Sequence, residues 1–260
     1  MHGVVGANDS GMVKTAPRAP ILADNQILEL LDRGPWSVVA VPWEAIKYFR
    51  SKRVTPSFDR YSVWREEHAR AFTLAGVTNK SFLEDVKGSL EQALHNGDTF
   101  ETWRKSIRPA MDKAGWTNYA DAKPPRRLET IYDTNMRQSA AAGQWQRIER
   151  TKQALPYLKY ELGPSKVRCE ACKEWAGIIL PVDHEFWATR MPPNHFGCKC
   201  RVRQISKREA EALGGVTEDP PMDMAEVVNP KTGDVEEAPR GMDPNWAYNP
   251  GADYGRSAGQ

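Results

Sequence analysis

The chain has 260 residues, a net charge of +2 and a mean hydropathy of −0.64, enough length for one large domain or two small ones. No run of 18 apolar residues occurs, so no membrane-spanning segment is expected, and Met1 to Pro20 lacks the basic-then-apolar order of a secretory signal. The charge is unevenly spread: residues 216–260 hold nine acids and three bases, leaving a body of net +8, a balance compatible with work near nucleic acid.

Residues 1–20, rich in Gly, Ala, Ser and Pro, read as a flexible arm. A helical body is expected over 21–155. Its first helix starts at Asp24 or Asn25 and runs to Leu31, and a second opens at Pro42, where the missing N–H costs nothing. Tyr61, Trp64, His68, Phe72 and Ala75 recur every three to four residues, the pattern of an amphipathic helix ending at Gly76. Thr78-Asn79 caps a helix closed by Asn96-Gly97, and Asp98-x-x-Glu101 reads as a capping box for the next, which stops at Gly115.

The longest pattern runs from Arg126 to Arg150, with Leu128, Ile131, Tyr132, Asn135, Ser139 and Ala142 on its inner face. Asn135 and Ser139 there need hydrogen-bond partners, and a local structural role is the commoner solution. Gly143 after Ala140 to Ala142 points to close approach by a neighbouring element.

The period changes at Tyr157, where apolar and polar residues alternate as in a strand. Gly177 to Val182 and Cys200 to Ile205 read as two more strands. Residues 156–215 therefore form a small Cys-rich module, and the fold class is α+β. Residues 216–260, proline- and acid-rich without periodicity, read as an extended tail.

All four cysteines lie between Cys169 and Cys200. Without an export signal the expected surroundings are reducing, where a cysteine cluster is more often a metal site than a disulfide. Tetrahedral zinc takes ligands in pairs from tight turns. Cys169-x-x-Cys172 and His195-x-x-Cys198 have that spacing, and Cys200 competes for a place, giving five candidates for four positions. A closed four-ligand site would be structural. The alternatives are a disulfide and free thiols packed as small hydrophobes.

The order Asp183-His184, Asn194, His195 is loosely similar to treble-clef nucleases, with His184 activating water beside a divalent metal, but the interval between the histidines is too short for the usual loop and helix. A nuclease of that kind, or a plain nucleic-acid-binding zinc module, is the alternative function. No phosphate-binding glycine loop and no Gly-x-Ser-x-Gly elbow is present, so no small-molecule substrate is expected.

Several pieces together resemble the phage Mu F-like family of head morphogenesis (minor head) proteins. They are Pro42 to Lys52, Trp64 to Thr78, and Arg127 to Met136 with Ala141-Ala142-Gly143. The most specific is Phe186-Trp187 followed by Pro192-Pro193-Asn194-x-x-Gly197-Cys198-x-Cys200-Arg201-Val202, and the stretch Trp246 to Gly251 is similar as well. The resemblance implies a non-enzymatic minor capsid protein in the phage head, assembled in the host cytoplasm. Its implied partners are portal, major capsid and scaffold proteins, together with packaged DNA. Arg126, Arg127, Arg201 and Arg203 are the candidate DNA-facing charges, and Trp246 and Tyr248 the candidate anchors by which the tail docks.

Overall fold

The structure, a computed structural model, describes residues 43–120, 126–164 and 169–258. The arm over 1–20 and the helix expected from Asp24 lie outside the described residues. The class is α+β, as expected.

Helix α1 (Trp43–Ser51) is followed by two short strands, β1 (Arg53–Val54) and β2 (Ala71–Phe72), which pair in parallel. The helix expected between Tyr61 and Gly76 does not form. Its place is taken by a turn, a short 3-10 segment (Arg65–Ala69) and β2. Arg65 sits at φ +46, outside helical space, and the Glu67 carboxylate accepts from the Trp64 N–H at 2.7 Å. The apolar residues at helical spacing serve different neighbours: Phe72 meets Phe49 at 5.8 Å, while the Trp64 indole donates to Glu236 in the tail. Tertiary partners override the local period here.

Helix α2 (Lys80–Asn96) is capped by Asn79 and ends on Gly97 in the left-handed region. Helix α3 (Phe100–Lys113) is capped by Thr99, whose hydroxyl accepts from Thr102 N, and not by Asp98. Asp98 is spent on the preceding helix end: its N–H donates to Ala93 and its carbonyl accepts from the Tyr132 hydroxyl. After the short α4 (Thr117–Ala120) comes α5 (Arg126–Thr151), the long helix expected. Helices α1, α2, α3 and α5 enclose one apolar core, which includes Phe49, Leu83, Leu90, Trp103 and Tyr132.

A second core lies at the far end of α5. There Trp145 and Ile148 meet Leu158, Tyr160, Trp175, Phe186, Trp187 and Val202. Three strands, β3 (Tyr157–Glu161), β4 (Ile179–Pro181) and β5 (Arg201–Ile205), form an antiparallel sheet in the order β4-β3-β5. Leu158 and Tyr160 point to the buried face and alternate with half-buried Tyr157, Lys159 and Glu161. Short helices α6 (Glu170–Glu174), α7 (Phe186–Arg190) and α8 (Lys207–Ala212) complete the module.

The tail holds regular elements that its composition did not announce. A hairpin, β6 (Met224–Val228) with β7 (Val235–Pro239), precedes a 3-10 turn (Pro244–Trp246) and helix α9 (Pro250–Ala258). Two close approaches seat α1 and α9 on α5. A Cβ added to Gly143 would lie 2.9 Å from Ala45 N, and one added to Gly251 would lie 2.3 Å from Trp145 Cβ. The expectation of a close neighbour at Gly143 is met by α1. Asn135 and Ser139 are satisfied locally, by the carbonyls of Ile131 and Asn135.

Candidate metal centre

The sequence brings two short turns together at one end of the β3 strand. Cys169 and Cys172 flank the start of α6, where the Lys173 N–H donates to the Cys169 carbonyl at 3.1 Å. His195 and Cys198 flank a turn closed by Cys198 N–H to His195 C=O at 3.1 Å, with Gly197 at φ +70. Only glycine takes that backbone readily, so the turn depends on it. Two groups of donor atoms result, each within 4.8 Å: Cys169, Cys172 and His195 in one, and Cys172, Cys198 and Cys200 in the other. Cys172 belongs to both, so all five expected candidates converge on it.

Cys172 and Cys198 are buried, Cys169 and Cys200 half-buried, and none is paired in a disulfide. Side-chain hydrogen bonds from Cys172 and Cys200 hold the Cys198 thiol well below its ordinary range, against a burial that opposes the charge. Cys172 moves the other way, because it donates to Cys198 and Cys200. Three sulfurs gathered within 4.8 Å are the donor set of a soft-metal site. A tetrahedral zinc with bonds of about 2.3 Å needs sulfurs roughly 3.8 Å apart, and those of Cys172, Cys198 and Cys200 all lie within 4.8 Å of one another. The His195 ring shares a hydrogen bond with the Phe196 carbonyl through Nδ1 at 2.9 Å, the kind of contact that fixes a ligand's tautomer and leaves Nε2 as the metal donor.

The surrounding groups are structural. Asn194, 1% exposed, donates to the Tyr160 hydroxyl at 2.9 Å and to the Arg190 carbonyl. Burial drives the Tyr160 phenol well above its ordinary range, keeping it neutral. Gly163 was not among the residues singled out in the sequence. A Cβ there would lie 1.9 Å from the Lys199 carbonyl, so its lack of a side chain lets β3 pass against the Cys198 to Cys200 stretch. A glycine closing an alternating strand pattern was the available signal.

The nuclease arrangement is not assembled. Asp183 pairs with Lys152 at 2.6 Å, His184 Nδ1 accepts from Phe186 N at the start of α7, and Asn194 faces the Tyr160 hydroxyl. Among the described residues, His184 joins no cluster of metal donors.

The four arginines considered for DNA occupy two places. Arg126 is exposed at the start of α5, and beside it Arg127 donates to the Ala75 carbonyl and stacks over Trp116. Arg201 and Arg203 both grip Glu161, at 3.0 and 2.9 Å, and Arg203 also holds Glu209. The Gln144 amide binds the Val202 carbonyl, so β5 sits 17 residues along α5 from Arg127, roughly 25 Å at 1.5 Å per residue.

Trp246 and Tyr248 are 5% and 3% exposed, packed on this chain's own surface. Trp246 meets Phe196 edge-on at 5.0 Å, and Tyr248 accepts from the Gln138 amide at 2.7 Å and stacks on His68. Asn249 then donates to the Trp187 carbonyl and caps α9 through Gly251 and Ala252 N–H. The strap is thus fastened to both the helical body and the module.

These features define an α+β protein in which a helical body, a Cys-rich module and a returning strap share one long helix, with the sulfur cluster as an internal joint. Residues 84–203 match the family described as Phage Mu protein F like protein. Over that segment the chain matches the phage Mu F-like family that its motifs resemble. It is 32% identical over 186 residues to the putative capsid assembly protein F of Escherichia phage Mu, covering 66% of this chain and 42% of that protein. It is 30% identical over 163 residues to the Mu-like prophage FluMu F protein of Haemophilus influenzae, covering 59% of this chain and 39% of that protein. The chain therefore spans about two fifths of the length of these curated relatives. No solved structure matches it. Among the described residues no helix is long and apolar enough to cross a membrane.

Proposed function

We propose that this chain is a structural component in the assembly of a tailed-phage head. The observation that carries the reading is the identity, over 66% of the chain, with a relative named as a capsid assembly protein. The site adds support from its chemistry, since the cluster joins two segments of backbone and its histidine and asparagine neighbours are committed to internal hydrogen bonds. In this reading the partners are the portal, major capsid and scaffold proteins. A direct DNA contact through Arg126, Arg127, Arg201 and Arg203 has less support, because Arg201 and Arg203 are committed to Glu161. Mass spectrometry of purified mature and immature heads tests the proposal: the protein should be found in one or both, and its absence from both would overturn it. A plasmid-nicking assay with magnesium or manganese should show no cleavage, whereas cleavage lost in His184→Ala would establish the nuclease.

Within this role the module is held by a structural zinc on Cys172, Cys198 and Cys200, with Cys169 or His195 as fourth ligand. Bound there, the metal would supply the cross-link that a core of this size lacks. The purified protein should carry one zinc per chain and lose it in Cys172→Ser. Retention in Cys169→Ser with loss in His195→Ala makes the histidine the ligand, and the reverse makes it the cysteine. A wild-type protein free of stoichiometric metal would sink the zinc reading and leave the assembly reading standing.

A further inference from the structure

A cavity of about 310 Å³ opens between the helical body, the module and the strap, and none of the four cysteines lines it. Lys52 lines it, yet is only 4% exposed. Its ammonium is held by the His68 carbonyl at 2.7 Å and, more loosely, by the Gln138 side chain at 3.4 Å, beside the Tyr48 ring. No carboxylate pairs with it among the described residues. The two acids that line the same space are engaged elsewhere. Asp59 accepts from the Tyr61 N–H and the Ser62 hydroxyl, and Asp243 pairs with Arg60.

A buried ammonium without a counter-ion is costly, and proteins keep such charges paired or bound to a ligand. Burial, with Lys87 adding a smaller repulsion, holds Lys52 down to about 7, a shift that an arriving anion would reverse. Two further donors wait in the same lining: the Thr73 and Thr134 hydroxyls are buried and have no hydrogen-bond partner. Arg60 and Arg127 line the space as well, but Asp243 holds the first and the Ala75 carbonyl accepts from the second, so the carboxylate-free ammonium of Lys52 and the two hydroxyls are the set that suits the two oxygens of a carboxylate. At the mouth, Phe196 lines the cavity while 63% exposed, and Phe58, next to the lining residue Asp59, is 84% exposed. Exposed aromatics beside a desolvated charge are the composition of a protein-binding hot spot.

We propose that this cavity receives an acidic side chain of a partner polypeptide, with its carboxylate on Lys52, Thr73 and Thr134 and the flanking chain against Phe196. The inference stands on the cavity's own chemistry: a chain that never entered a phage head would still bind the probe, so its failure and that of the assembly reading are separate results.

The test is titration of the full-length protein with N-acetyl-Phe-Glu-amide and its Gln counterpart, read from the Lys52 side-chain signals in ¹³C-lysine protein. The Glu dipeptide should shift those signals and bind at least tenfold more tightly than the Gln dipeptide. Lys52→Met should bring the two dipeptides level. Should that variant fail to fold, Thr134→Val, expected to weaken the Glu dipeptide severalfold, carries the same test. Phe196→Ala should weaken the dipeptide and leave acetate binding unchanged. Equal binding of Glu and Gln dipeptides, or displacement of the Glu dipeptide by lower concentrations of inorganic phosphate, would overturn the carboxylate. Acetate binding as tightly as the dipeptide, with Phe196→Ala silent, would overturn the protein partner in favour of a free ion.

Discussion

The buried lysine makes a quantitative demand on stability. Lys52 falls from an ordinary 10.5 to about 7 in the folded chain. One pKa unit corresponds to about 1.4 kcal/mol, so the folded state carries roughly 5 kcal/mol of unfavourable charge burial when the lysine is protonated. Below pH 7 both states hold the proton and the whole cost is felt. Between 7 and 10.5 the unfolded chain keeps a proton that the folded chain has released, so stability rises with pH, and above that window the cost is gone. Lys52→Met removes the titration. It also leaves the His68 carbonyl and the Gln138 amide short of a donor, a constant offset of about 1–3 kcal/mol. The readout is therefore the slope. In urea unfolding at pH 6.5 and 9.5, wild type should gain roughly 3 kcal/mol relative to the variant across that interval. Titrations elsewhere, including the thiols and tyrosines, are common to both chains and cancel to first order. A difference that stays flat with pH would mean that Lys52 keeps its proton in the folded state, and the reasoning about its burial would be wrong.

Other substitutions test the packing. Gly163→Ala should cost about 1–3 kcal/mol in urea unfolding, since its Cβ would lie 1.9 Å from the Lys199 carbonyl. Gly88→Ala on exposed α2, where a Cβ meets nothing within 4 Å, should stabilise by about 0.5–1 kcal/mol. At Glu161 burial alone would raise the carboxyl, but hydrogen bonds from Arg203 and Arg201 outweigh it and the net shift is downward. Its contribution is present above the ordinary carboxylate range and fades as pH falls through the lowered value, so Glu161→Gln should match wild type in strong acid and lag it at pH 7. The same variant releases Arg201 and Arg203 from Glu161, so if these are DNA-facing charges, salt-sensitive DNA retention in a gel-shift assay should increase, and no change would remove them from the DNA reading. Trp246→Ala should cost about 3–5 kcal/mol and Tyr248→Phe about 1, both read from shifts in Tm.

What the sequence revealed follows from how local each signal is. Helix α2 was legible because Asn79 and Gly97 mark both ends and its apolar residues share one face. The β3 strand was legible from strict alternation. The segment around Trp64 was misleading, since its apolar residues at helical spacing are buried by three separate neighbours, two of them distant in sequence. The metal-type cluster was readable as a set of five residues from spacing alone. Its centring on Cys172 was not, because that depends on β3 carrying Gly163 past Lys199. The Lys52 cavity was invisible, since it is closed by residues from the body, the module and the strap that no local pattern connects.

Helix α5 explains why these parts stand or fall together, and it yields a last prediction. Its surface meets α1 at Gly143, the strap through Gln138 and Tyr248, and the module through Gln144 and Val202. Serving three partners, it cannot have a single apolar stripe, and its polar residues act as fixed connectors. The family segment, residues 84–203, includes α5 but omits α1 and the strap. Cutting there would remove Ile46, Tyr48, Phe49, Trp246 and Tyr248 from their packed positions. At about 1.5–3 kcal/mol for each large apolar side chain, the loss is roughly 7–15 kcal/mol, as large as the whole stability of a typical domain. The isolated segment should therefore keep helical far-ultraviolet dichroism but lose near-ultraviolet signal and cooperative unfolding, while residues 43–258 retain both. Cooperative, native-like unfolding of the 84–203 fragment would show that the module and half the body fold without their straps, and that α5 is not the shared spine inferred from its contacts.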